Sequence, residues 1–264
     1  MYGRFARRIE AAGLPTAPTA QAVVGQADLA PLPASAQRHL RFMGVVGRPR
    51  DWSFRAHLTG RFRMRPGQRW MALESWQYNS APATARLFYM RLRFAGVVPM
   101  YGWDTYVEGE GRMLGKLGGI VTVADGRGEA FDIGELTTYL NDAVIMAPSM
   151  LLTAATSWSE VDGQSFDVSL TDSGRTVNAR VLLDERGAPV NFSSDDRFIA
   201  LPAGPVRARW TTPLEGWHMV NGRPHPERGS AIWHLDQGPF AYAEFRFRDD
   251  SVAYNLGPGR SLAV

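Results

Sequence analysis

The stretch Glu129–Thr156, EAFDIGELTTYLNDAVIMAPSMLLTAAT, decides the fold because it interrupts a chain that otherwise alternates like antiparallel strands. Asp132 predicts a helix start, since its carboxylate can accept a hydrogen bond from a free backbone N–H, and Glu135 has the spacing of a capping-box partner. Pro148 predicts the start of a second short helix. We therefore expect two short helices, over residues 132–155, between two runs of strands.

Apolar and polar side chains alternate on both sides of this stretch. Phe54, Ala56 and Leu58 alternate with Arg55 and His57, and the same period returns after the helices. Turn residues recur along the whole chain, as antiparallel meanders require. This pattern predicts about eleven or twelve antiparallel strands.

Two arrangements can cover the apolar faces of so many strands. Either two sheets pack as a sandwich, or one strongly bent sheet wraps round its own concave face. We predict the second, a mainly β half-barrel with the two helices as a plug or lid. In this prediction residues 1–32 form an N-terminal helix and an extended arm, and residues 33–264 form a single bent-sheet domain.

Composition excludes several kinds of chemistry. The chain has 264 residues, no cysteine and a formal net charge of +3. The absence of cysteine removes thiol catalysis, cysteine-ligated zinc and disulfides. No Gly-x-Ser-x-Gly or His-Glu-x-x-His motif occurs, and no basic run interleaves with aromatic residues. We expect no cofactor, no metal and no nucleic-acid partner.

The N-terminal sequence MYGRFARRIEAAGL has early arginines with no apolar core behind them, unlike a secretory signal. No apolar run approaches the roughly 20 residues of a membrane-spanning helix. The sequence therefore predicts a soluble, cytoplasmic protein without a membrane span, and it leaves the oligomeric state open.

Aromatic and acidic residues that share strand faces predict a cavity. Glu74 shares a strand face with Trp76, and Asp104 lies beside Trp103 in the segment YGWDTY. A carboxylate on an aromatic face has a raised pKa unless it is paired. We predict that the cavity holds a small hydrophobic molecule and is lined by Glu74, Trp76, Tyr101, Trp103, Tyr106, Tyr139, Trp158 and Trp210.

Three functions remain open for such an interior. The first, which we favour, is binding of an apolar or amphipathic molecule such as a lipid. The second is an enzyme in which Asp104 or Glu135 is the general acid or base and Arg197 orients or neutralises the substrate. The third is a structural or partner-binding domain with a solid core.

Several motifs follow one another over about residues 30–256: LPASAQRHL (32–40), GWDTYVEGEGRMLGKLGG (102–119), GELTTYLND (134–142), Trp158 and Asp196-Arg197. Together they resemble an uncharacterised bacterial domain-of-unknown-function family. Thr138 and Asp142 stand where that family usually has an arginine and a glutamate. The order of strands, two helices and strands is also similar to the half-barrel of the lipoprotein carriers LolA and LolB. That resemblance implies a bent sheet closed by helices.

Overall fold

The computed structural model describes residues 2–18, 21–94, 97–201 and 204–259. This part of the chain holds four α-helices, one 3-10 helix and 19 β-strands. The helices are α1 Tyr2–Ala11, α2 Gln26–Leu29, α3 Ala34–Phe42 and α4 Glu129–Met146, followed by the 3-10 helix Pro148–Leu151. The strands are β1 Ser53–Phe62, β2 Met71–Ser80, β3 Ala85–Phe94, β4 Val98–Val107, β5 Glu110–Leu117, β6 Val121–Arg127, β7 Thr156–Asp162, β8 Ser165–Asp172, β9 Arg175–Leu183, β10 Pro189–Ser194, β11 Phe198–Leu201, β12 Gly204–Arg207, β13 Arg209–Thr211, β14 Leu214–Glu215, β15 His218–Val220, β16 Arg223–His225, β17 Arg228–Leu235, β18 Gly238–Arg246 and β19 Val252–Tyr254. None of the described helices is both long and apolar enough to cross a membrane.

One antiparallel sheet of 15 strands dominates the described chain. Its order is β6-β5-β4-β3-β2-β1-β18-β17-β13-β10-β9-β8-β7, with β14 and β19 paired to β17 and β1. The sheet does not close, because β6 and β7 are its two edges. The predicted mainly β, bent antiparallel half-barrel is confirmed. The structure has more strands than predicted because several, such as β14, are too short to show an alternation.

Helix α4 fills the concave side of the sheet. Phe54, Ala56 and Leu58 of β1 belong to the same apolar cluster as Leu136 and Leu140 of α4. Every residue of α4 from 134 to 146 is buried. The helix is therefore a central core element.

The start of α4 differs from the prediction. The helix begins at Glu129 with Gly128 as its N-cap, so Asp132 is inside the first turns. The Asp132 carboxylate accepts hydrogen bonds from the backbone N–H of Gly111 (2.7 Å) and from Arg175 (2.8 Å). Asp132 thus ties the helix to β5 and β9, and it does not cap it.

The convex side of the sheet is also covered. Phe5 and Ile9 of α1 pack with Trp76, Tyr89 and Trp103 in a second apolar cluster. The central residues of β2, β3 and β4 therefore have both faces buried, one towards α4 and one under α1.

Candidate functional site

Five charged side chains meet between the concave face and α4, and we call them the charged cluster: Arg86, Asp104, Glu135, Asp142 and Arg197. Arg86 binds Glu135 at 2.9 Å (Nη1 to Oε2) and Asp142 at 2.6 Å (Nε to Oδ2). Arg197 approaches Glu135 at 3.8 Å. Ion pairs at this depth hold the helix and the sheet in one arrangement, since breaking one leaves an uncompensated buried charge.

Local geometry explains why these residues converge. Glu135 and Asp142 are seven residues apart, which is close to two turns, so both project from one face of α4. On the sheet, Phe88 of β3 pairs with Asp104 of β4. Because alternate residues share a face, Arg86 and Asp104 both point to the concave side.

The cluster has three carboxylates but only two guanidinium groups. Burial, followed by the nearby charge of Asp104, raises the pKa of Glu135 to about 7. Burial also raises the pKa of Asp104, against the effect of Arg86 and Arg197. Like charges in a low-dielectric site cannot all ionise, so the cluster retains a proton near neutral pH.

Several buried polar atoms beside the cluster are unsatisfied. Among the described residues, Oδ1 of Asp104, Nε of Arg197 and Nδ2 of Asn79 meet no hydrogen-bond partner. Nearly all buried polar groups in proteins are hydrogen-bonded, and leaving one unmade costs about 1–3 kcal/mol. These atoms offer both an acceptor and donors to a molecule that enters the interior.

Aromatic rings form one wall of this region. The Arg197 guanidinium lies 4.5 Å from the ring centroid of Trp210 and 5.4 Å from that of Trp233. The Trp210 indole N–H donates to the hydroxyl of Tyr242 at 3.2 Å, and Trp233 stacks on the Tyr242 ring. The region therefore combines apolar rings with charged groups, as an amphipathic ligand requires.

The structure brings the predicted trio of Asp104, Glu135 and Arg197 together. Trp210 lies beside them, through its contact with Arg197. Three further predicted residues lie elsewhere on the concave side: Tyr106 donates to Asp172 at 2.6 Å, Tyr139 donates to the Ser80 carbonyl at 3.3 Å, and Trp158 packs on Phe166. Any role of these residues in binding stays a prediction.

The other four predicted residues, Glu74, Trp76, Tyr101 and Trp103, lie on the convex side, so their expected position in the interior is wrong. Trp76, Tyr101 and Trp103 are packed in the cluster under α1. Glu74 is half-buried and pairs with His57 at 3.1 Å and with Arg91. The concave residues in the C-terminal half of β2 are instead polar: Ser75, Gln77 and Asn79. The aromatic face of this strand is therefore the one that the N-terminal helix covers.

Three important interior residues were missed by the sequence prediction. Arg86 and Asp142 complete the charged cluster, and Gln77 donates to Asp142 at 2.6 Å. The available signal was Arg86 itself, a cation in phase with the apolar residues Phe88 and Met90 of its strand. Asp142 supplies a carboxylate to the Arg86 guanidinium here.

Two cavities lie outside the interior. The larger, about 620 Å³, is a polar groove on the outer face of β7–β10 whose lining includes Asp167, Arg180 and Asp195. The smaller, about 310 Å³, lies between α1 and strands β4 and β5. Neither cavity is lined by Glu135 or Arg86. Within the described residues, no group of three or more His, Asp or Glu side chains could hold a metal ion.

A search of solved structures found chains that are similar to this one at low identity. A LolA superfamily protein from Nitrosomonas europaea is 12% identical with a TM-score of 0.41, over 86% of this chain and 94% of that chain. A DUF1329 family protein from Desulfovibrio piger is 10% identical with a TM-score of 0.43, over 85% of this chain and 93% of that chain. The search of curated proteins found no match. The family model described as "Family of unknown function (DUF6544)" matches residues 22–245, and the chain belongs to this family.

Proposed function

We propose that the protein binds an amphipathic small molecule between the concave face of the sheet and α4. The observation that carries this proposal is the set of unsatisfied buried atoms of Asp104 and Arg197 beside an aromatic wall. A polar ligand group would accept from Arg197 and donate to Asp104. Its apolar part would pack against Trp210 and Trp233, which lie in the main apolar cluster.

Entry of such a ligand requires a movement, because α4 is buried along most of its length. We propose that the hairpin of β11 and β12 is the element that moves. It forms its own two-stranded sheet and follows Arg197 directly in the chain. Its outward motion breaks no pairing of the main sheet, and it would carry Arg197 with it.

Native mass spectrometry of the purified protein tests this proposal. We expect a bound mass in addition to the polypeptide, released by organic solvent. Arg197→Met and Asp104→Asn should each lose it, because each removes one of the two polar anchors. Arg209→Met is the matched control, since that arginine pairs with Asp195 on the surface.

The proposal fails if no bound mass is found and no thermal shift occurs across a panel of lipids and hydrophobic metabolites. That result would favour a structural or partner-binding domain with a solid core. Loss of the bound mass in the Arg209→Met control would equally remove the argument for the interior site.

A second function, general acid–base catalysis in the same interior, is favoured by the pKa of about 7 at Glu135. A group with a pKa near the working pH is the most effective proton donor or acceptor. Incubation of the identified ligand with the protein should then yield a product of different mass. Glu135→Gln should retain binding and lose turnover, whereas an unchanged ligand mass with the wild-type protein would exclude catalysis on that ligand.

A further inference from the structure

A cationic pocket lies on the convex side, away from the charged cluster. Its cavity of about 310 Å³ is lined by Arg7, Arg8, Trp103, Lys116 and Gly119. In the described part of the chain, no carboxylate forms an ion pair with Arg7, Arg8 or Lys116. Burial and the nearby charge of Arg112 lower the pKa of Arg8, as expected where positive charge is in excess. The pocket is therefore suited to an anion.

Trp103 lines this pocket and carries a hydrogen-bond donor that is unpaired within the described chain. Its side chain is buried, and its indole Nε1 has no hydrogen-bond partner among the described residues. The Arg8 guanidinium lies 4.8 Å from the Trp103 ring centroid. An indole N–H can only donate, as can guanidinium and ammonium groups. All of the charged and polar side chains that line the pocket are thus donors, and a phosphate oxygen is the acceptor that such a set binds best.

Exposed apolar residues border the pocket. Val97 is 81% exposed and Ile120 is 84% exposed, and they lie at the tips of neighbouring hairpins. The Gly118 N–H donates to the Pro99 carbonyl at 2.8 Å, which holds the two tips together. Further exposed apolar side chains at this corner of the sheet are Val98, Val121 and Val123. Gly119, next to Ile120, lines the cationic pocket, so apolar and cationic surfaces are contiguous.

We propose that this corner of the molecule docks on an anionic membrane surface. The phosphate of a phospholipid headgroup would occupy the cationic pocket, and the Val97 and Ile120 tips would enter the boundary between headgroups and acyl chains. Charge complementarity favours this partner, because the exposed Arg93 adds a further cation at the same corner. Apolar side chains beside cations are the combination by which proteins lie on membrane surfaces. This inference goes beyond the interior ligand site and does not depend on it.

Vesicle co-sedimentation with the full chain tests the docking. We expect binding to mixed phosphatidylcholine and phosphatidylglycerol vesicles, weakened by salt, and little binding to phosphatidylcholine alone. Arg7→Gln with Lys116→Gln should weaken binding about thirtyfold, because each cation near an anionic surface adds about fivefold. Val97→Ser with Ile120→Ser should weaken it about tenfold or more.

Two matched controls carry the same chemical changes elsewhere. Arg209→Gln with Arg228→Gln removes two exposed cations, and Val161→Ser with Val190→Ser removes two exposed apolar side chains. Both double variants should bind anionic vesicles like the wild type. Equal losses in the controls, equal binding to neutral vesicles, or no binding at all would overturn the proposal.

The anion in the cationic pocket could come from free phosphate instead of a lipid headgroup. Nuclear magnetic resonance distinguishes these two ligands. The Trp103 indole N–H signal, assigned with Trp103→Phe, should shift on addition of a short-chain phosphatidylglycerol. A shift with inorganic phosphate but none with the lipid, together with no vesicle binding, would make the pocket a soluble-anion site and overturn membrane docking.

Discussion

At the scale of single residues, the charged cluster sets the electrostatics of the interior. Arg86 is buried, and although burial opposes its charge, Asp142 and Glu135 raise its pKa above the usual value. The third carboxylate, Asp104, has no guanidinium within hydrogen-bonding distance of its Oδ1 in the described chain. Burial, followed by the nearby charge of Asp104, therefore raises the pKa of Glu135 to about 7.

The raised pKa of Glu135 makes stability depend on pH. The folded protein holds this proton up to a pH of about 7, whereas the unfolded chain releases it near 4.5. The stabilising contribution is therefore complete below about pH 4.5 and is lost as the pH rises to about 7. Glu135→Gln removes this titration. Between pH 5 and 8 the variant should lose about 2 kcal/mol less of its free energy of unfolding than the wild type, measured by urea unfolding.

Glu129→Gln is the control for this measurement, because Glu129 lies on the same helix and is exposed. Its pH dependence should follow that of the wild type. Burial lowers the pKa of His39 to about 4, which gives an opposite slope as the pH falls below 6.5. The contribution of His39 is the same in the wild type, Glu135→Gln and Glu129→Gln, so it cancels when their pH dependences are compared. Parallel curves for wild type and Glu135→Gln would contradict the prediction.

Part of the site was predictable residue by residue. Asp104, Glu135 and Arg197 stood out as charged residues in aromatic or helical contexts, and they meet in the structure. Trp76 and Trp103 were assigned to the wrong face, because alternation shows which residues share a face but not which face is concave. Only the position of α1, a contact between distant parts of the sequence, decides that.

At the scale of elements, α4 is seated by close backbone contacts with the sheet. A Cβ at Gly111 of β5 would lie 2.1 Å from the Phe131 carbonyl oxygen and 2.7 Å from the Asp132 nitrogen. Real Cβ atoms do not approach backbone this closely, so only glycine lets the first turns of α4 lie on the strand. The helix start at Glu129 was missed because this contact, and the hydrogen bond from Gly111 to Asp132, join residues about twenty positions apart.

Gly111→Ala should therefore displace the start of α4. We expect a loss of about 2 kcal/mol or more in the free energy of unfolding, because overpacking against backbone cannot relax by a side-chain rotation. The melting temperature measures it. Gly115→Ala is the control on the same strand, since its Cβ would meet the side chains of Ala124 and Val123 at 3.4 Å and a backbone atom no nearer than 3.7 Å. Equal melting temperatures for the two variants would show that the contact at Gly111 does not seat the helix.

At the scale of the whole molecule, the sheet carries a cover on each face. The half-barrel and its central helical element were predictable, because the change of period from two to a helical pattern lies in the local sequence. The double cover was harder to foresee. It buries the central residues of β2, β3 and β4 on both sides, so the polar side chains there are interior as well, and polarity no longer indicates the solvent side.

The cover on the convex face can be removed without touching the core around α4. Ile9 is fully buried against that face, so Ile9→Asp should undock α1. The substitution should remove about 3 kcal/mol of local packing, so amide exchange in residues 2–11 should become about a hundredfold faster. Tryptophan emission should also shift to the red, because Trp76 and Trp103 become exposed to water. Exchange in α4 should stay as slow as in the wild type, because α4 packs on the other face.

Ala11→Asp adds the same charge at an exposed position and should leave the tryptophan emission unchanged. Faster exchange throughout α4 in Ile9→Asp would mean that the two covers unfold as one unit, and that the convex face is part of the same cooperative core.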